Sequence, residues 1–186
     1  MREIRVFNSD KSGIIGVSWF SLNQNHDERG WLMEIVRSSN PFFQNFGQLY
    51  LTTTYNNAIK AWHEHKMQTD HICCIKGMIK FVMVDTRMPD NGTPIKDTTH
   101  GNIIELFIGE KNPTLVIIPP GVVHGWKAYD NETAYILNIP SREYDHKNPD
   151  ELRYSIDREF VFGNYGRYQN DFLTPKYKYD WSRIDR

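Results

Sequence analysis

His63 and His65 flank a single residue, four residues separate His65 from Asp70, and six separate Asp70 from Gly77. A lone His124 follows the turn Pro119-Pro120-Gly121 further along the chain. If residues 58–65 are extended, Ile59, Ala61, His63 and His65 share one face of the strand, while Lys60, Trp62 and Glu64 share the other. Small and apolar residues that lead into two imidazoles describe a strand whose buried face opens into a polar pocket. Gly77 turns the chain into the apolar run MIKFVMVD, and the Pro-Pro-Gly turn directs His124 back towards the same interior. The constraint is therefore a β architecture closed tightly enough to bring three strands to one cavity.

The rest of the chain agrees with that constraint. Short alternating runs predict strands at 14–20, 31–36, 48–54, 58–65, 71–76, 78–85, 102–108, 114–119, 123–128 and 133–139. Turn signals at Asn56-Asn57, Gly77, Pro89 to Gly92, Gly109 to Pro113 and Asp130-Asn131 separate them. Many short strands at this spacing predict an all-β sandwich or barrel. At 186 residues the chain is read as one domain, residues 1–186, with a barrel over about 12–140 and a partly helical or irregular extension over about 141–186. The extension is charged and rich in tyrosine: Tyr144, Tyr154, Tyr165, Tyr168, Tyr177 and Tyr179. These are expected to pack around the barrel or a neighbour, with Tyr144 placed to cap a pocket mouth.

Composition narrows the function. Twenty-two Lys and Arg against 23 Asp and Glu leave a net charge of −1, which provides no global attraction for nucleic acid or an anionic membrane. The N-terminus MREIRVFNSD lacks the apolar core of a secretory leader, and no apolar run spans a bilayer, so a cytoplasmic protein is expected. The two cysteines, Cys73 and Cys74, are adjacent on a predicted strand and point to opposite faces; a disulfide between them is not expected.

The histidine constellation permits two chemistries. His63, His65, Asp70 and His124 together suit a divalent transition metal with open positions for substrate. Alternatively His63 acts as a general base without a metal or other cofactor, since an imidazole titrates near neutral pH. Spacing does not choose between them.

Four segments carry a resemblance: HDERGWLMEI at 26–35, NAIKAWH at 57–63, GMIKFVMVDTR at 77–87 and IPPGVVHGW at 118–126. In this order they resemble the dTDP-4-dehydrorhamnose 3,5-epimerase family, a branch of the cupins, over roughly residues 10–140. The resemblance implies a double-stranded β-helix, or jelly-roll cupin barrel, that forms a homodimer by crossing an N-terminal strand to its partner. It also implies a nucleotide-linked 4-keto-deoxy sugar as substrate and a role in carbohydrate or polysaccharide biosynthesis. His63 matches the base that removes protons next to the ketone. Arg29, Glu34 and Gln48 match nucleotide-binding residues, Lys60 stands where an arginine meets the diphosphate, and His124 matches a histidine at the sugar end.

Three family features are altered. The general-acid tyrosine falls at Leu137, so Tyr135, two residues earlier on the same strand face, is the expected substitute. The lysine that steadies the enolate falls near Asp70 or His71. The aspartate partner of the base maps into LRYSIDREF, where Asp157 is nearest. The leading expectation is a nucleotide-sugar epimerase or isomerase. A metal-dependent cupin enzyme and a non-catalytic carbohydrate-binding cupin stand beside it.

Overall fold

The computed structural model describes residues 13–88, 98–161 and 176–182. Fourteen strands run through them: β1 Ser18–Ser21, β2 Gln24–Asp27, β3 Gly30–Met33, β4 Tyr50–Thr54, β5 Ile59–His65, β6 Asp70–Lys76, β7 Met78–Asp85, β8 Ile103–Gly109, β9 Thr114–Ile118, β10 Val122–Ala128, β11 Ala134–Asn138, β12 Glu151–Arg153, β13 Glu159–Val161 and β14 Lys176–Lys178. No helix occurs among the described residues. Each of the ten expected strands has a counterpart, with ends displaced by at most a few residues. The described parts of the C-terminal extension contain β12, β13 and β14 and no helix.

Two five-stranded antiparallel sheets form a jelly roll, in the orders β1-β9-β6-β11-β4 and β12-β5-β10-β7-β8. Their inner faces meet in an apolar cluster that includes Ile72, Cys74, Val116, Ile118 and Ile136 from the first sheet and Ile79, Phe81, Met83, Val122 and Trp126 from the second. Alternation supplies these residues, since every second side chain faces inward. A second cluster lies on the outer face of the second sheet, where Trp62, Val82, Val84 and Val123 are covered by Phe160, Tyr179 and Trp181. The tyrosine-rich extension thus supplies an outer layer. Tyr165 and Tyr168 lie outside the described residues.

One local irregularity decides what lines the cavity. His124 on β10 pairs with His63, and Gly125 pairs with Ala61, so Trp62 is an extra residue on β5 with no partner on β10. Two residues opposite one make a bulge, which reverses the face alternation on one side of it. The simple alternation expected for 58–65 therefore fails before the bulge. Lys60 is opposite Trp126 and its ammonium donates to Thr52 Oγ1 at 2.8 Å inside the barrel, while Ile59 and Ala61 pack against the outer cluster. His63 and His65 keep the inward face. Gly125 permits this close approach: a Cβ there would lie 2.4 Å from the Ala61 Cβ, 2.9 Å from its Cα and 3.0 Å from the Lys60 carbonyl oxygen.

Both cysteines are buried and free. Cys74 belongs to the inner core cluster, Cys73 is fully buried outside it, and burial pushes each thiol up to about 12. They are packing residues.

Gly125→Ala should lower stability by about 1–3 kcal/mol, the range for forcing extra volume into a packed site. Urea denaturation followed by tryptophan fluorescence measures it, and an unchanged midpoint would show that the β5 bulge has room to relax.

Candidate active site

The polar residues collect at one end of the barrel because the strands that carry them are antiparallel. Asp70 begins β6, Asn138 ends β11, Tyr50 begins β4 and His65 ends β5. Asp70 is the hub, with a side chain 2% exposed. Its Oδ1 accepts from Gln68 Nε2 at 2.7 Å and from Asn138 Nδ2 at 2.8 Å. Its Oδ2 faces His65 Nε2 at 3.5 Å and His124 Nε2 at 3.6 Å. Asn138 also donates to the Tyr50 hydroxyl at 2.9 Å, which joins β4, β6 and β11 through polar side chains.

His63 lies beside this hub, with its ring 5.9 Å from that of His124 and 5.7 Å from that of Trp126. Its Nε2 is 3.9 Å from Glu151 Oε1, a carboxylate that also accepts from Arg153 at 2.7 Å. Burial lowers the His63 pKa to about 4; His124 adds to the fall and Glu151 opposes it. Burial also lowers His124, against the pull of Asp70. Both rings are therefore neutral at physiological pH. Tyr50 moves the other way, pushed up to about 12 by burial and by Asp70, so its phenol keeps its proton.

β12 brings Glu151 to this site by pairing with β5, with Glu151 opposite His65 and Arg153 opposite His63. Asp150 secures the pairing. Its carboxylate accepts the backbone N–H groups of Lys66, Met67 and Gln68 at 3.1, 3.0 and 2.9 Å, in the turn that leads to Asp70.

The structure redistributes several expected residues. Tyr135 is not in the cavity: on β11 the buried, inward residues are Ala134, Ile136 and Asn138, and the Tyr135 ring lies 5.8 Å from the Lys76 ammonium on the outer face. The spacing argument correctly placed Tyr135 and Leu137 on one face, but that face points away from the substrate side. Asp157 is also elsewhere. It pairs with Lys178 at 2.5 Å and lines an outer groove with Ile59, Tyr179 and Trp181. Of the four residues considered together as metal ligands, His65, Asp70 and His124 converge, with donor atoms within 4.8 Å of one another, while His63 turns towards Glu151.

Gln48 accepts the Tyr144 backbone N–H at 3.2 Å, which ties the start of β4 to the segment after β11. Arg29 and Glu34 stand on the β2–β3 hairpin and its exit, outside both barrel sheets; Arg29 pairs with Asp27 at 2.6 Å and Glu34 with Arg37. Sequence reasoning missed Glu151, Tyr50 and Asn138. Tyr50 was accessible to it, because it shares the inward phase of the expected strand 48–54 with Thr52 and Thr54. Glu151 was not, because nothing local marks a three-residue strand that pairs with residues about ninety positions earlier.

With this geometry in place, comparison with known proteins assigns the family. Residues 11–160 match the family model for dTDP-4-dehydrorhamnose 3,5-epimerase. The chain belongs to that family. It is 35% identical over 138 residues to a probable low-salt glycan biosynthesis epimerase of Haloferax volcanii, covering 73% of this chain and 84% of the relative. It is 31% identical over 152 residues to a spore coat polysaccharide biosynthesis protein of Bacillus subtilis, covering 82% of this chain and 96% of the relative. Among solved structures, a dTDP sugar isomerase from Desulfovibrio desulfuricans G20 superposes with a TM-score of 0.67 at 25% identity, covering 76% of this chain and 85% of that one. The epimerase-family barrel is thus the framework on which the Asp70 hub and the His63–Glu151 pair are mounted.

Asn138→Ala should cost about 1–3 kcal/mol, because Asp70 loses one of two buried donors. Tyr50→Phe removes only an acceptor from Asn138 and should cost less. Chemical denaturation of the two variants gives this order, and a larger loss in Tyr50→Phe would contradict the hub at Asp70.

Proposed function

We propose that this member of the epimerase family acts on a nucleotide-linked 4-keto-deoxy sugar and that His63 removes the proton from a carbon next to the ketone. The observation that carries the reading is a half-buried imidazole of lowered pKa that lies 3.9 Å from the Glu151 carboxylate. A general base must be unprotonated before it acts and stabilised as a cation afterwards. Burial secures the first condition, and Glu151 supplies the second as the imidazolium forms. Proton removal by His63 itself requires no bound cofactor.

Epimerisation also needs a proton returned to the opposite face of the enolate. Tyr50 takes the role first given to Tyr135. It stands on the opposite sheet from His63, its phenol retains its proton, and Asn138 donates to its oxygen, which leaves the hydroxyl hydrogen free to point at substrate. Tyr50 joins the Asp70 hub through Asn138, and His63 lies beside that hub through His124. His124 lines the sugar end. Lys60 reaches the interior and meets the diphosphate as a point charge. Arg29, Glu34, Gln48 and Tyr144 contact the nucleotide at the mouth.

The working form is a homodimer in the cytoplasm. Its support is the β2–β3 hairpin, which forms a sheet of its own and leaves Trp31 52% and Leu32 65% exposed. Apolar residues presented together on a projecting hairpin are suited to burial against a second copy. Among the described residues, no helix is long and apolar enough to cross a membrane.

Solvent deuterium should enter dTDP-4-keto sugars at the carbon next to the ketone, and His63→Ala should slow that exchange by about 10²–10⁴-fold. Tyr50→Phe should retain exchange but lose product of inverted configuration, as read by NMR. Equal exchange in His63→Ala and the parent chain would remove His63 as the base. Replacing Trp31 and Leu32 with aspartate should halve the mass measured by light scattering, whereas a monomeric parent chain would exclude the dimer.

A further inference from the structure

We infer that His65, Asp70 and His124 form a binding site for a divalent transition-metal ion, separate from the base His63. The argument rests on three features of the cluster. First, the two nitrogen-to-carboxylate separations, 3.5 and 3.6 Å, exceed those of charge-assisted hydrogen bonds, which run to about 2.7–2.9 Å. They match ligands that share an ion instead. Donors bonded at about 2.0–2.1 Å in tetrahedral geometry lie roughly 3.4 Å apart.

Second, the hydrogen bonds around the cluster leave the inward atoms free as ligands. His124 Nδ1 is 3.1 Å from the Val122 carbonyl oxygen and must donate to it, so the neutral ring carries its lone pair on Nε2. Gln68 and Asn138 occupy Asp70 Oδ1, and Oδ2 is turned to the two imidazoles. His65 Nδ1 is buried without a hydrogen-bond partner among the described residues. With its proton on that unpartnered Nδ1, the His65 ring presents an Nε2 lone pair on the Asp70 side. Oδ2 and the two nitrogens lie within 4.8 Å of one another.

Third, the position suits the donor set. All three donors come from strand residues in the barrel interior, with the Asp70 and His124 side chains 2% and 3% exposed and that of His65 12% exposed. Two imidazoles and one carboxylate suit zinc, cobalt, nickel, iron or manganese and leave a position open for a substrate oxygen. His63 stays outside the set, engaged with Glu151, so the metal and the base are neighbours with different ligands.

The family resemblance places an enolate-steadying lysine near Asp70 or His71, where this chain has an aspartate and a histidine. A metal at the triad supplies positive charge at that end of the pocket. That catalytic role rests on the epimerase reading; the binding itself does not.

The test is a titration of the full-length chain, stripped with a chelator and dialysed, with Co²⁺ followed by visible absorption, and with Zn²⁺ quantified by plasma mass spectrometry after gel filtration. One ion per chain and a ligand-field spectrum of low-coordinate cobalt are expected. His63→Ala should retain both, and His65→Ala should lose both. Asp70→Asn, which preserves the side-chain shape, should weaken Co²⁺ binding by at least about tenfold. No bound ion in the folded parent chain overturns the site, as does binding that survives His65→Ala or disappears in His63→Ala. Deuterium exchange by the stripped chain separates the two claims: exchange without metal binding sinks the metal site alone, and metal binding without exchange under any loading sinks the epimerase reading alone.

Discussion

The Asp70 carboxylate links the two sheets of the barrel. Its own strand lies in one sheet, the imidazoles it faces lie in the other, and Asn138 and Tyr50 extend the connection across two further strands. A carboxylate 2% exposed is costly unless its oxygens are satisfied, and here one oxygen has two neutral donors while the other is turned to two nitrogens. The polar end of the cavity is organised around that requirement. Gln68 must be placed by the β5–β6 turn, Asp150 holds that turn, and Asp150 comes with the strand that brings Glu151 to His63.

Much of the barrel was legible in the sequence because it obeys period-two alternation between clear turn signals. The same alternation, applied without a bulge, put Lys60 on the wrong face. A bulge of one residue leaves little trace locally: Gly125, the residue that tolerates it, lies on the partner strand more than sixty positions away. Tyr135 shows a second limit. Spacing shows which residues share a face, but the inward face is set by what the opposite sheet offers, and on β11 it belongs to Ala134, Ile136 and Asn138. Asp157 was placed by proximity to a family pattern, and the carboxylate that meets His63 lies six residues earlier on a strand too short to signal itself.

The departures from the family pattern are coherent once the geometry is considered. Leu137 stands at the position expected of the acid, yet the neighbouring strand presents Tyr50 directly opposite Asn138. The carboxylate beside His63 is Glu151, a longer side chain on an earlier residue than Asp157. An aspartate lies where a lysine is expected, and two imidazoles have been brought to face it.

β12 has a consequence for how this protein becomes competent during synthesis. Through β11 the chain carries all three cavity histidines and Asp70, but neither Glu151 nor Asp150. Those carboxylates emerge only after a further dozen residues, and they must travel back to a strand completed some eighty residues before. Contacts of such sequence separation form slowly relative to local pairing. Until they do, nothing caps the β5–β6 turn as Asp150 does in the finished fold, and His63 lacks its Glu151 neighbour. On the proposed reading, a chain that ends at Asn138 would have the barrel's interior without the His63–Glu151 pair.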